Sequence, residues 1–243
     1  MIRLLPALLI ALGCTEPLAP ERTVTVAVAS NFAPTARVLA TVFEQQTGHR
    51  ITLAPGSTGK HFAQIQNGAP FDAFLAADRE RPAQLEQAGR IQSDTRFTYA
   101  RGRLALWSPR TDWVDANGSV LNDTAIRHLA LANPRLAPYG RAAEQVLRAR
   151  GQWMPLQPRL VQGENIAQAL LFVDSGNAEL GFVAAAHIQG RTGSHWLVPE
   201  TLHDPIEQQA VLLSTHPVAR EFLNFLQSEP ARHLLRDAGY HVP

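Results

Sequence analysis

Short β-branched runs and helical stripes take turns along the chain from residue 23 onwards, and few folds accept that order. Residues 23–30, T-V-T-V-A-V-A-S, place valine at every second position, the pattern of a strand. Beyond Asn31, Phe32, Ala33 and Pro34, the apolar Ala36, Leu39, Ala40 and Phe43 fall at i, i+3, i+4 and i+7, one face of a helix. Pro34 suits its first turn, Ser30 or Asn31 its cap, and Gly48 its stop. Residues 51–54 predict a second strand, followed by a helix that ends near Asn67-Gly68. A third strand is expected over 71–76, and a third helix over 81–88 closed by Gly89. Such repetition predicts right-handed βαβ units around a parallel sheet.

The pattern changes at residues 97–107, F-T-Y-A-R-G-R-L-A-L-W, where apolar residues alternate with no helix between the expected strands. We read this as a crossing into a second lobe. There, residues 129–132 form a strand leading through N-P-R-L-A-P-Y-G to a helix over 140–150, with Ala143, Val146 and Leu147 inward and Gly151 as its end. A strand over 159–161 leads through Gly163, Glu164 and Asn165 to a helix striped by Ile166, Ala169, Leu170 and Val173, and 180–183 is a further strand. Residues 206–213 return towards the first lobe, and helices over 218–227 and 229–238 finish the chain. The expected organisation is α/β in two lobes, each a mostly parallel sheet flanked by helices. Lobe I takes 23–102 and 207–243, and lobe II takes 103–206. Two connecting strands imply a hinge, which suits a binder that closes on its ligand better than a rigid catalyst.

Ligands of open α/β sheets sit beyond the carboxyl ends of strands, where helices begin. Polar or turn residues mark four such junctions: Ser30-Asn31, Ser57-Thr58, Pro138-Tyr139-Gly140 and Glu164-Asn165-Ile166. The richest is A-P-G-S-T-G-K-H-F-A-Q-I at 54–65, where two hydroxyls stand beside unpaired first-turn N–H groups at the positive end of a helix dipole. That is a cradle for an oxyanion. A phosphate-binding P-loop is a poor match, because Ala54 replaces its first glycine and His61 its magnesium-binding hydroxyl. Each junction also has a plainer reading, with Ser30, Asn31, Thr58 and Asn165 as helix caps and Tyr139 as a wall residue. Other chemistry has little support. The nine histidines lack metal-ligand spacing, G-S-T-G is not a nucleophile elbow, and Asp78 reads as a helix cap rather than a base. Trp107, Trp113, Trp153 and Trp196 are dispersed and read as packing residues.

With 22 Lys+Arg against 21 Asp+Glu and no run of like charge, the chain offers nothing for nucleic acid. The N-terminus is more informative. Arg3 precedes an apolar run over 4–12, too short to span a bilayer but right for a secretory leader, with 15–22 as a tether. The single cysteine, Cys14, follows in A-L-G-C. It is either the lipidated first residue of a bacterial lipoprotein or an incidental neighbour of an ordinary cleavage site, and no intrachain disulfide can form.

Several runs together resemble the periplasmic molybdate-binding proteins of ABC importers: A-S-N-F at 29–32, G-S-T-G-K at 56–60, I-Q-N-G-A-P-F-D-A-F-L-A-A-D at 65–78, N-P-x-x-x-P-Y-G at 133–140 and G-F-V at 181–183. The likeness covers nearly all of 23–243. It implies a type II periplasmic binding protein fold and no enzymatic activity. Molybdate or tungstate is held between the lobes as ligand, not cofactor, so molybdenum enters only as the oxyanion. The ligand residues it implies are Ser30, Asn31, Ser57, Thr58, Tyr139, Asn165 and Ile166. Some family members carry a tyrosine after G-[IF]-V; Ala184 stands there in this chain, and Tyr139 in P-Y-G compensates. Lys60, the only lysine, is expected to point outward. The implied partners are a membrane permease and its ATPase, with the binding protein acting as a monomer. The alternatives are a binder of sulfate or another tetrahedral oxyanion, or an oxyanion sensor for a signalling partner.

Overall fold

Residues 23–243 are described in the computed structural model, so the expected leader and tether, and Cys14, lie outside the described residues. The first elements are β1 (Val24–Ala29), α1 (Ala33–Thr47), β2 (Ile51–Gly56), α2 (Thr58–Gln66), β3 (Ala73–Leu75), α3 (Glu80–Gln87) and β4 (Phe97–Gly102). Next come β5 (Leu104–Ser108), β6 (Leu129–Ala132), α4 (Pro138–Ala149), the one-turn α5 (Trp153–Leu156), β7 (Leu160–Gly163), α6 (Ile166–Asp174), β8 (Leu180–Ala184) and β9 (Ser194–Leu197). The chain closes with β10 (Ile206–Leu212), α7 (Pro217–Leu226) and α8 (Glu229–Asp237).

These strands form two five-stranded sheets, ordered β2-β1-β3-β10-β4 and β7-β6-β8-β5-β9. In the first, β1 is parallel to β2 and β3 while β10 runs antiparallel to β3 and β4. The second repeats this, with β6 parallel to β7 and β8 and β5 antiparallel to β8 and β9. Each sheet thus has one reversed strand among parallel ones, and β1 and β2 correspond to β6 and β7. The chain passes between the sheets at Arg103 and again between β9 and β10.

Burial explains the valine alternation. Val24, Val26 and Val28 pack with Leu39 and Phe43 of α1 and Phe222 of α7, while Ala27 on the other face joins Ile65, Phe74 and Leu85. A strand covered on both faces is apolar throughout. Gly48 ends α1 in the left-handed conformation, φ 75°, donating its N–H to the Glu44 carbonyl.

Some expectations fail in detail. Neither Ser30 nor Asn31 caps α1: Phe32 occupies the cap position and no side chain accepts there. The Asn31 amide instead donates to Gln208 Oε1 at 2.7 Å, and the Ser30 N–H goes to the Gly56 carbonyl. Thr58 is not a cap either, because Ser57 takes that position on α2. β3 is shorter than 71–76; just before it, the Asp72 carboxylate accepts from the Thr25 N–H and the Ser214 hydroxyl. Leu170 is only partly buried on the α6 stripe. The edge strand β9 was not expected; S-H-W-L carries no β-branched residue, and pairing with β5 defines it. Among the described residues no helix is long and apolar enough to cross a membrane.

Candidate functional site

The turns β1–α1 and β2–α2 leave the first sheet beside each other, because Ala29 is in register with Gly56. In the second sheet β6 and β7 are paired in the same way, Ala132 with Gly163. The two pairs of turns face one another. Ser30, Asn31, Ser57, Thr58, Tyr139, Asn165 and Ile166 all line one small cavity, walled otherwise by Ala29, Gly56, Ala77, Ala137 and Pro138. It leaves about 10 Å³ for the centre of a water-sized sphere, room for one compact guest and too little for an extended one.

Every residue lining the cavity is uncharged. As first-turn groups of α2, α4 and α6, the N–H of Thr58, Tyr139 and Ile166 have no intrahelical acceptor and present the positive ends of helix dipoles. Such an arrangement has the chemistry to accept an anion through neutral donors. The side chains divide the remaining work. Ser57 accepts from the Lys60 N–H at 3.4 Å, and Asn165 Oδ1 accepts from Ala167 and Gln168 at 3.0 and 3.1 Å, so both cap their helices while lining the cavity. Thr58 Oγ1 accepts the buried Ala77 N–H at 3.1 Å, which leaves its own hydroxyl proton free to donate.

Beneath the cavity lies a buried polar group. Gln208, fully buried on β10, accepts from Asn31 and, at 3.4 Å, from the Tyr99 hydroxyl, which also lies 3.1 Å from the Ala76 carbonyl. Among the described residues the Tyr139 hydroxyl has no hydrogen-bond partner, and a Cβ on Gly102 would collide with it. Burial holds the Tyr139 phenol well above its ordinary pKa, so it is a neutral donor. His61 packs its ring against Gly56 under the cradle, and burial lowers its pKa.

Contacts between the two sheets surround the site. The Gly59 N–H donates to the Leu136 carbonyl at 2.8 Å, Arg81 to the Arg135 carbonyl at 3.1 Å, and Arg141 to Glu80 at 2.7 Å. Lys60 does not simply point outward; its ammonium reaches Glu164 at 3.1 Å across the rim. Asp78 accepts from the Arg81 N–H at the start of α3 and also pairs with the Arg81 and Arg141 guanidiniums. Burial raises its pKa despite those cations. Lys60, Arg81 and Arg141 therefore already have carboxylate partners.

No sequence motif singles out Gln208, Ala77 or Gly59. Two adjacent glutamines midway along β10, followed by the apolar A-V-L, are the available signal for a buried polar role. Gly59 and Ala77 owe their importance to close approach, which composition does not reveal.

The model of the bacterial extracellular solute-binding protein family matches residues 24–241. The chain is 45% identical over 224 residues to the molybdate-binding protein ModA of Azotobacter vinelandii, covering 89% of each. It is 41% identical over 238 residues to the molybdate-binding protein ModA of Rhodobacter capsulatus, covering 96% of this chain and 94% of that one. Among solved structures, the periplasmic molybdate-binding protein of Azotobacter vinelandii superposes with a TM-score of 0.88 at 40% identity, over 90% of this chain and 99% of the other.

Proposed function

Because the chain belongs to the bacterial extracellular solute-binding protein family, we propose that it captures molybdate, or tungstate, and delivers it to the permease and ATPase of an ABC importer. The observation that carries this reading is the neutral, donor-rich cavity where four strand-to-helix turns meet. The relatives' ligand then selects among oxyanions. The protein is a carrier rather than an enzyme, and the anion is its cargo rather than a cofactor.

Ser30 and Thr58 donate hydroxyls, the N–H groups of Asn31, Thr58, Tyr139 and Ile166 donate from the backbone, and Ser57 and Asn165 hold two of the helix starts in place. Donors fixed at the spacing of long metal–oxygen bonds fit a small tetrahedral anion such as sulfate less well. No carboxylate lines the cavity to accept from a protonated phosphate. Residues 23–102 with 207–243, and residues 103–206, act as two lobes that close on the anion about the strands joining them. The carrier works as a monomer outside the cytoplasm, and a lipid on Cys14 tethers it to the membrane. Incorporation of labelled palmitate into the wild type but not Cys14→Ser tests the tether.

Calorimetric titration of the ligand-free protein tests the ligand. Sub-micromolar molybdate binding with at least hundredfold weaker sulfate is expected. Strong sulfate or phosphate binding without molybdate heat would overturn the assignment.

A further inference from the structure

His187 follows β8 on the second sheet, yet its imidazole reaches the first. Its Nε2 lies 2.8 Å from the backbone carbonyl oxygen of Asn31, in the turn between β1 and α1. That carbonyl also accepts from the Tyr240 hydroxyl at 2.9 Å, while the Asn31 side-chain amide is taken by Gln208. Tyr240 and Gln208 both belong with the first sheet. Of these three partners, only His187 comes from the other side of the cleft.

A carbonyl can only accept, so Nε2 carries the proton. The other ring nitrogen, Nδ1, is buried without a partner among the described residues. The ring is thus a single-donor group aimed at one acceptor. Ser30, the neighbour of Asn31, lines both the small cavity and an adjoining groove of about 410 Å³, whose wall includes His187. The imidazole therefore lines the groove that shares Ser30 with the small cavity.

We propose that His187 is a positioning residue for anion capture, a latch that fixes the Asn31 peptide from the opposing sheet and slows release. The latch rests on the reading that molybdate occupies the cavity. In this reading the bond between the two sheets forms on closure, so it acts on the dissociation rate. Association, which precedes closure, is spared.

The test uses the full exported chain and molybdate as probe. Equilibrium affinity is measured by calorimetry, and release by the loss of radiolabelled molybdate into excess unlabelled anion. His187→Ala should release the anion roughly three- to tenfold faster, the worth of about one net hydrogen bond. Its association rate should stay within about twofold. The Gln amide nitrogen takes the place of Nε2, whereas the shorter Asn amide matches Nδ1, so His187→Gln should restore slow release and His187→Asn should not. Release at the wild-type rate from both His187→Ala and His187→Asn would overturn the latch, as would equally fast release from the Gln and Asn variants. If His187→Ala proves unstable, the Gln and Asn pair still decides. Failure of the wild type itself to bind molybdate would reject the ligand assignment, an outcome separate from these.

Discussion

Gly59→Ala separates closure of the two sheets from stability of the fold. Gly59 lies in the first turn of α2, and its N–H donates to the Leu136 carbonyl across the cleft at 2.8 Å. A Cβ there would sit 2.9 Å from the Leu136 oxygen, 3.1 Å from its Cα and 3.2 Å from Arg81 Nη2. The two Leu136 atoms are backbone and Arg81 is tied to the Arg135 carbonyl, so the alanine methyl forces the sheets apart. Overpacking of this kind costs about 1 to 3 kcal/mol, and a strained or lost hydrogen bond adds about 0.5 to 1.5 kcal/mol. Both penalties fall on the closed form alone. Molybdate affinity should drop roughly ten- to a thousandfold. The ligand-free protein gains instead, because alanine is favoured over glycine in a helix by up to about 1 kcal/mol. The assay pairs calorimetric Kd values with melting curves recorded without ligand. Unchanged affinity would refute the idea that this cross-cleft contact belongs to the bound state. A ligand-free melting point that falls along with affinity would show that the contact supports the fold, not closure.

Ser30→Ala should weaken binding by one hydrogen bond to a charged ligand, about 1.5 to 3 kcal/mol, with little effect on ligand-free melting. Thr58→Ala should lose affinity and also stability, because the buried Ala77 N–H loses its acceptor, whereas Thr58→Ser should preserve both by calorimetry and thermal melts. Lys60→Gln should change affinity by less than about fivefold, since its pair with Glu164 is half exposed; a larger loss would mean the ammonium reaches the anion. Burial depresses the pKa of His61 and His187 below the ordinary 6.5. A group with a lowered histidine pKa binds fewer protons folded than unfolded, so its stabilisation is present above pH 6.5 and is lost as pH falls towards the folded value. Melting temperature should therefore fall between pH 7.5 and 5.5, and His61→Gln should flatten that slope.

The alternation of β1 to α3 is legible because strands buried on both faces and helices buried on one leave different periods in the sequence. The four turns that line the cavity are legible for a related reason, since hydroxyls and amides at strand ends either cap helices or meet ligands. Which of the two each residue does is not. Asn31 looks like a cap of α1 and instead holds Gln208, a partner 177 positions away that no local pattern signals. Contacts across the cleft are hidden from the sequence more completely. Gly59 with Leu136, Lys60 with Glu164, and His187 with Asn31 depend on how the two sheets face each other, and short-range propensity carries no record of that. β9 escapes for a different reason, being a short edge strand defined by its neighbour.

A crystal structure of the complex, with anomalous scattering recorded at the molybdenum edge, tests the central claim most directly. The expected result is one strong peak in the cavity, with anion oxygens within hydrogen-bond distance of the Ser30 and Thr58 hydroxyls and the N–H groups of Tyr139 and Ile166. A peak outside that cavity, on the exposed arginines or in the groove beside His187, would contradict it.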